Sequence, residues 1–305
     1  MQFSQSLFTI GYFLGTLQLI SHVFEALTKI VNKEELKNKK AKKIVYLHLK
    51  LPIMNTYKPI NPNFPPIVKN LIIINVLMWI ASITLPKWGI DLVDLLGLHY
   101  WESEKFNAVQ LVTYLFLHDT SSISHLFFNM FGIWMFGKNI ELYWGPKKFL
   151  IFYFVSGIGA AIIQELVWMY SLQPAVEAFN QYASTKDIHL LMPYLNNLTE
   201  HTIIPMSQLW ELKDMLLNAP VTVGASGALF GILLAFAVLF PQARMVLIFF
   251  PVPIRAPYFV ALYAAAELFM GVIPSSDGVA HFAHLGGMLF AGILILLWKK
   301  KGNLY

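Results

Sequence analysis

The chain has 305 residues, of which 57% are hydrophobic and only 13% charged, with a mean hydropathy of +0.58. Soluble domains carry about 25% charged residues, so this composition excludes an ordinary soluble enzyme and implies a polytopic membrane protein. The net charge of +5 is local: residues 1–53 hold eight Lys and three Glu, the rest balances at 14 against 14, and no nucleic-acid partner is expected. With no cysteine, disulfides, thiolate catalysis and cysteine-based zinc sites are excluded.

In chain order, residues 1–53 form a basic N-terminal extension of different character from the rest. An apolar stretch over 7–24, interrupted by Gly11, Gly15 and His22, precedes a Lys-rich run. No positive region precedes it and no small-residue cleavage site follows, so it does not read as a signal peptide. A weak extra membrane segment, an interfacial helix, and a start-site artefact with Met54 as the true start all stay open.

From residue 54 to 305 the expectation is one domain of six transmembrane helices, over 71–85, 126–143, 149–169, 223–240, 258–273 and 279–298. Each is apolar enough for a bilayer core of about 30 Å. The basic residues between them set the orientation. Lys69, Lys147, Lys148, Arg244, Arg255, Lys299, Lys300 and Lys301 place both termini and the even-to-odd turns in the cytoplasm. Three connections then face outward: 86–124, whose broken apolar run 101–116 suits a loop partly buried in the membrane; 170–219, a polar insert with an amphipathic surface helix over 208–217; and the short loop 274–280.

Three constellations converge on that outer side. Ser226 lies within Gly224-Ala-Ser226-Gly227-Ala228-Leu-Phe230-Gly231 at the start of span four. Small residues there serve close helix packing or let a peptide approach a nucleophile. The soluble-hydrolase elbow G-x-S-x-G is excluded, because Ala228 stands at its last position and no strand pattern precedes the serine. In span six, His284 lies at a depth matching Ser226, one turn below His281. An ionisable side chain within a span is a functional candidate by default, and a histidine in reach of a serine hydroxyl can serve as general base. His284 could instead bond a neighbouring helix, and His281 could be structural only. In span two, His125 and Asn129 share a helical face at i, i+4. They could donate to an oxyanion with the Ser226 backbone N–H, or form an interhelical polar contact. No acidic residue presents itself as a third member, since Asp119 and Asp277 lie in loops, so a Ser-His dyad is the simpler inference.

Together these residues resemble the rhomboid family of intramembrane serine proteases. The matches are His125-x-x-x-Asn129, Gly224-x-Ser226-Gly227-x-x-x-Gly231 and Ala283-His284-x-Gly286-Gly287, in the family's order on spans two, four and six. Gln110-Leu-Val-Thr113-Tyr-Leu-Phe116-Leu-His118 and Glu141 with Gly145 are similar as well, and the likeness covers roughly 66–300. The resemblance implies an all-α, six-transmembrane-helix rhomboid-like bundle with a membrane-embedded first outer loop. It implies Ser226 as nucleophile and His284 as base, with His125, Asn129 and the Ser226 backbone, beside Gly224, as oxyanion hole and Phe230 packing on the histidine. No cofactor and no metal are implied. The implied partners are single-span membrane protein substrates, cleaved near the outer face, and the lipid bilayer, with oligomeric state left open. The expected setting is a bacterial cytoplasmic (inner) membrane.

Three features depart from the family pattern or exceed its core. Phe106-Asn107 stands near the place of a loop arginine, Ala291 replaces a common glycine, and the 170–219 insert is longer than a minimal core. Two rivals remain: a catalytically inactive rhomboid-like binding factor, against which the retention of Ser226 and His284 argues, and a small transporter lined by His118, His125 and His284. A through-path would need charged residues facing it, and the spans lack such residues apart from Glu165 and Glu267.

Overall fold

Two consecutive prolines, Pro65 and Pro66, set the start of the first helix. A proline at the first helical position loses an N–H that has no intrahelical partner anyway. Helix α1 (Pro66–Thr84) continues into a 3-10 turn, Leu85–Trp88, which closes on Gly89 at φ 78°. The computed structural model describes residues 64–305 except 197, 248–249, 274–278, 303 and 305, all within one compact unit, Ile60–Tyr305. The basic segment 1–53 and the open question of Met54 lie outside the described residues.

After α1 come a short helix α2 (Leu92–Leu96), a two-residue strand β1 (Leu98–His99) and one helical turn α3 (Gln110–Thr113). Helix α4 (Ile123–Gly132) is capped by the Ser122 hydroxyl, which accepts from the Ser124 N–H. A π-helical stretch, Ile133–Gly137, joins it to α5 (Lys138–Trp144), so 123–144 forms one helical path. Helix α6 (Pro146–Thr185) follows at once, then α7 (Met206–Asn218), strand β2 (Val221–Thr222) and α8 (Ser226–Leu239). A hairpin of β3 (Arg244–Leu247) and β4 (Phe250–Arg255) leads to α9 (Ala256–Val272), and α10 (His281–Lys300) ends the bundle. The fold is mostly helical. Among the described residues, three helical stretches, Pro66–Trp88, α6 and α10, are long and apolar enough to cross a membrane, while α8 and α9 are apolar but shorter. Large apolar side chains face outward along them, including Leu77 (60% exposed), Phe269 (66%) and Leu296 (66%). An apolar surface of this kind fits lipid rather than water.

Two details differ from the sequence reading. Helix α6 has 40 residues, about 60 Å at 1.5 Å per residue, roughly twice a bilayer core. The first part of the expected insert is therefore an extension of this helix. Its end carries a small separate core in which Ala178, Phe179 and Tyr182 meet Ile188, Leu191, Ile204 and Leu209. The Tyr182 hydroxyl accepts from the Ile204 N–H at 2.9 Å. The amphipathic helix appears as α7, but its Leu209 and Leu217 bury themselves against the protein, the latter with Tyr100 and Val176. The second difference is a strand before the serine: β2 pairs antiparallel with β1, Leu98 opposite Thr222 and His99 opposite Val221. Two residues are too few for a pattern to show in the sequence.

The bundle's centre is the group α6, α8 and α10, whose backbones approach through small residues. A Cβ on Gly287 of α10 would lie 1.9 Å from the Gly227 carbonyl oxygen of α8. A Cβ on Gly231 would lie 2.5 Å from the side-chain Oγ of Ser156 on α6. In lipid, helix association rests on such van der Waals contact, because the tails are as apolar as leucine.

Buried polar groups tie the periphery to this centre. Glu141 of α5 accepts from the Ile67 N–H at 2.9 Å and the Val68 N–H at 2.8 Å, supplying partners for the start of α1. Gln110 pins the first long loop: its amide oxygen accepts from the N–H groups of His99 and Asn107, and its nitrogen donates to the carbonyls of Leu95 and Lys105. That amide does the anchoring where Phe106-Asn107 lacks a cation. Glu165 of α6 accepts from the Trp101 N–H at 2.9 Å, so this acidic residue is a loop anchor as well.

Glu141→Ala leaves two buried N–H groups at the α1 start unmatched. The expected cost is about 3 kcal/mol, with Glu141→Gln less affected, read as denaturant unfolding in micelles.

Candidate functional site

The serine sits where extended chain turns into helix. After β2, the Gly224 N–H donates to the Tyr114 carbonyl at 3.0 Å, fixing the chain against the first loop. Gly224 has φ 129°, a conformation that L side chains rarely adopt. A Cβ there would also lie 2.9 Å from His125 Nε2. Glycine is required twice at this position. Ser226 then opens α8, whose first N–H groups have no partner within the helix, leaving a ring of donors around the serine.

His284 comes from α10, where the contact of Gly287 with Gly227 sets the distance. Its Nε2 lies 2.8 Å from Ser226 Oγ. Phe230, one turn into α8, stacks on the imidazole with centroids 4.3 Å apart and planes 8° from parallel. Tyr263 of α9 packs against Phe230 with ring centroids 4.8 Å apart. The ring of His284 is thus held flat against Phe230 of α8.

Of the residues expected from sequence, the structure brings Ser226, His284, His125, Gly224 and Phe230 together. His125, near the start of α4, directs Nε2 towards Gly224, while its Nδ1 accepts from the Asp119 N–H at 3.3 Å. Asp119 organises that turn: its carboxylate accepts from the Ser121 hydroxyl and N–H, which hold it below the usual carboxylate range. Asn129 is more inward than expected. Its amide donates to the His125 carbonyl of its own helix at 2.8 Å, and Asn129 is buried. His118 is fully buried edge-on against His125, with ring centroids 5.0 Å apart.

The sequence reading missed Glu267. This residue of α9 is buried, and its Oε2 lies 2.8 Å from His284 Nδ1 and 2.7 Å from His281 Nδ1. An acid in a span was visible, but which helix face it occupied and that α9 lies beside α10 were not. Glu267, His281 and His284 each bring one donor atom within 4.8 Å of the others and could surround a cation. The N···O separations are those of hydrogen bonds, however. Ligands of a tetrahedral metal with bonds of about 2.1 Å sit about 3.4 Å apart. Protons, rather than a cation, fit the spacing.

A family model described as the rhomboid domain matches residues 105–178 and 187–300. The chain is also similar to rhomboid protein 1, mitochondrial, of Saccharomyces cerevisiae (strain ATCC 204508 / S288c), at 27% identity over 209 residues, covering 65% of this chain. The match spans 59% of that protein's length. That relative is mitochondrial, so the expected bacterial cytoplasmic membrane finds no support in it. What stands is a multi-pass membrane protein.

Gly287→Ala places a methyl group on the Gly227 carbonyl and must separate α10 from α8. A collapse of thermal stability in detergent is expected. Gly292→Ala on the same helix meets only a Leu234 methyl at 3.5 Å and is expected to be neutral or to gain up to about 1 kcal/mol from helix propensity.

Proposed function

The chain belongs to the rhomboid family, and from that premise we propose that it is an intramembrane serine endopeptidase acting on single-span membrane proteins near the outer face. The observation that carries this reading is the 2.8 Å contact between His284 Nε2 and Ser226 Oγ. A serine hydroxyl alone is a poor nucleophile at neutral pH, and an imidazole at this distance can take its proton as the oxygen attacks.

In the proposed reaction, Ser226 Oγ attacks a peptide carbonyl and His284 Nε2 accepts the proton, later passing it to the leaving amine. The carbonyl oxygen becomes an anion close to the α8 N-terminus, where the Ser226 N–H, the partial positive charge of the helix start and His125 Nε2 converge. Asn129 supports this hole through the remaining proton of its amide and by holding the His125 carbonyl. Gly224 keeps the floor of the hole open. Water then hydrolyses the acyl-enzyme through the same histidine.

The topology proposed with this reading has six spans. The 123–144 path, with its π-helical stretch, joins α1, α6, α8, α9 and α10, and residues 54–305 act as one protease domain. The segment 86–124 is its membrane-embedded loop, and 170–219 its outward insert. The Lys- and Arg-bearing turns lie on the opposite face. A helical substrate hides its peptide bonds, so cleavage requires local unwinding, and helix-breaking residues are expected near the scissile bond.

The test is a serine-reactive fluorophosphonate probe together with a single-span reporter in detergent or vesicles. Labelling and cleavage by the wild type are expected, with both abolished in Ser226→Ala while its thermal unfolding is unchanged. Cleavage by Ser226→Ala at the wild-type rate overturns the assignment. A folded wild type that neither labels nor cleaves supports a binding factor instead.

A further inference from the structure

We infer that Glu267 is a positioning residue for the Ser226–His284 pair, holding the Nδ1 proton of His284 so that Nε2 is presented to the serine as an acceptor. The inference rests on the protease reading above and adds to the dyad a carboxylate, seated on α9, that the sequence did not assign.

A neutral imidazole carries one N–H and one lone pair, and the partner of the first nitrogen decides the state of the second. Ser226 Oγ lies 2.8 Å from His284 Nε2. For that contact to activate the serine, the hydroxyl must donate and Nε2 must accept. The His284 proton then belongs on Nδ1, which needs an acceptor in a buried site. Glu267 Oε2 stands there at 2.8 Å.

One further observation favours an ionised carboxylate, against the cost of burying a charge within a span. Oε2 is approached by two nitrogens, Nδ1 of His284 at 2.8 Å and Nδ1 of His281 at 2.7 Å. A protonated Oε2 would donate to one nitrogen and accept from the other, leaving the two imidazoles in different tautomers. A carboxylate accepts from both, which sets both imidazoles in the Nδ1–H form by one rule. His281 lies one turn before His284 on α10, so its bond fixes the carboxylate that fixes His284. These tautomers follow from the network of partners rather than from hydrogen positions.

The proton balance is direct. As the Ser226 oxygen bonds to the substrate carbonyl carbon, its proton moves to His284 Nε2 and the ring becomes an imidazolium. The Nδ1 proton stays on the ring, and Glu267 faces the new positive charge across one hydrogen bond. When the C–N bond breaks, the Nε2 proton leaves with the amine. Glu267 starts and ends as a carboxylate and touches no substrate atom. Its contribution is a fixed ring orientation and a nearby negative charge at low dielectric, where such pairing is strongest.

The test uses the full chain in detergent or vesicles, with Glu267→Gln as the main variant. The amide keeps the side chain's size but removes the charge and offers an N–H to Nδ1. A fall in kcat of roughly 100-fold or more is expected, as for a histidine left in the wrong tautomer, with KM within about twofold of wild type. Thermal unfolding should be unchanged, and Glu267→Asp should recover part of the loss. A folded Glu267→Gln that cleaves within about threefold of the wild-type kcat overturns the inference while leaving the protease reading intact. A second measurement needs no Glu267 variant. The nitrogen NMR signals of His284, identified by their loss in His284→Ala, should report the Nδ1–H form in the wild type. An Nε2–H form there overturns the inference, and this readout remains decisive even if Glu267→Gln does not fold or the wild type does not cleave.

Discussion

The approach of α10 to α8 at Gly287 and Gly227 is the constraint on which the site depends. A Cβ at Gly287 would stand 1.9 Å from the Gly227 carbonyl, so these helices meet backbone to backbone. Bilayer lipid offers no hydrophobic incentive for that contact. It persists because Gly231 against Ser156 and Gly159 against Phe290 let α6 complete the same triangle. His284 lies one turn before Gly287 and Ser226 immediately before Gly227, so the helix spacing also sets the 2.8 Å contact between the two side chains.

Around that contact, the polar residues divide by the kind of problem they solve. Glu141, Glu165 and Gln110 accept from or donate to backbone groups at helix starts and in the first loop. Each would be a liability in lipid if unpaired, and each closes a gap where the chain leaves regular structure. Glu267 differs, because its partners are imidazole side chains rather than backbone. That contrast sets it apart as a group concerned with the site rather than with the frame.

Outside the triangle, the extension of α6 and the helix α7 build a second small core, with Tyr182 bonded to Ile204 at its centre. Leu217 and Val176 join it to Tyr100 of the first loop. The loop in turn is stitched to β2 through β1, and β2 delivers the chain to Gly224 and Ser226. The insert is therefore linked to the segment that presents the serine through the first loop, by residues far apart in sequence.

Much of this is legible in the amino-acid sequence. Composition alone requires a membrane protein, because so few charges cannot solvate so much apolar surface. The serine, the two histidines and the glycines announce themselves because each is expensive in a span unless it has a use. Other features were decided only in three dimensions. The length of α6 was hidden because a helix leaving the membrane loses its apolar signal while keeping its hydrogen bonds. The β1–β2 pairing rests on two residues a side, below any periodicity. The inward turn of Asn129 and the convergence of His281 and His284 on Glu267 depend on rotamers and on which helices are neighbours. One-dimensional spacing specifies which residues share a face, but only packing specifies what that face meets.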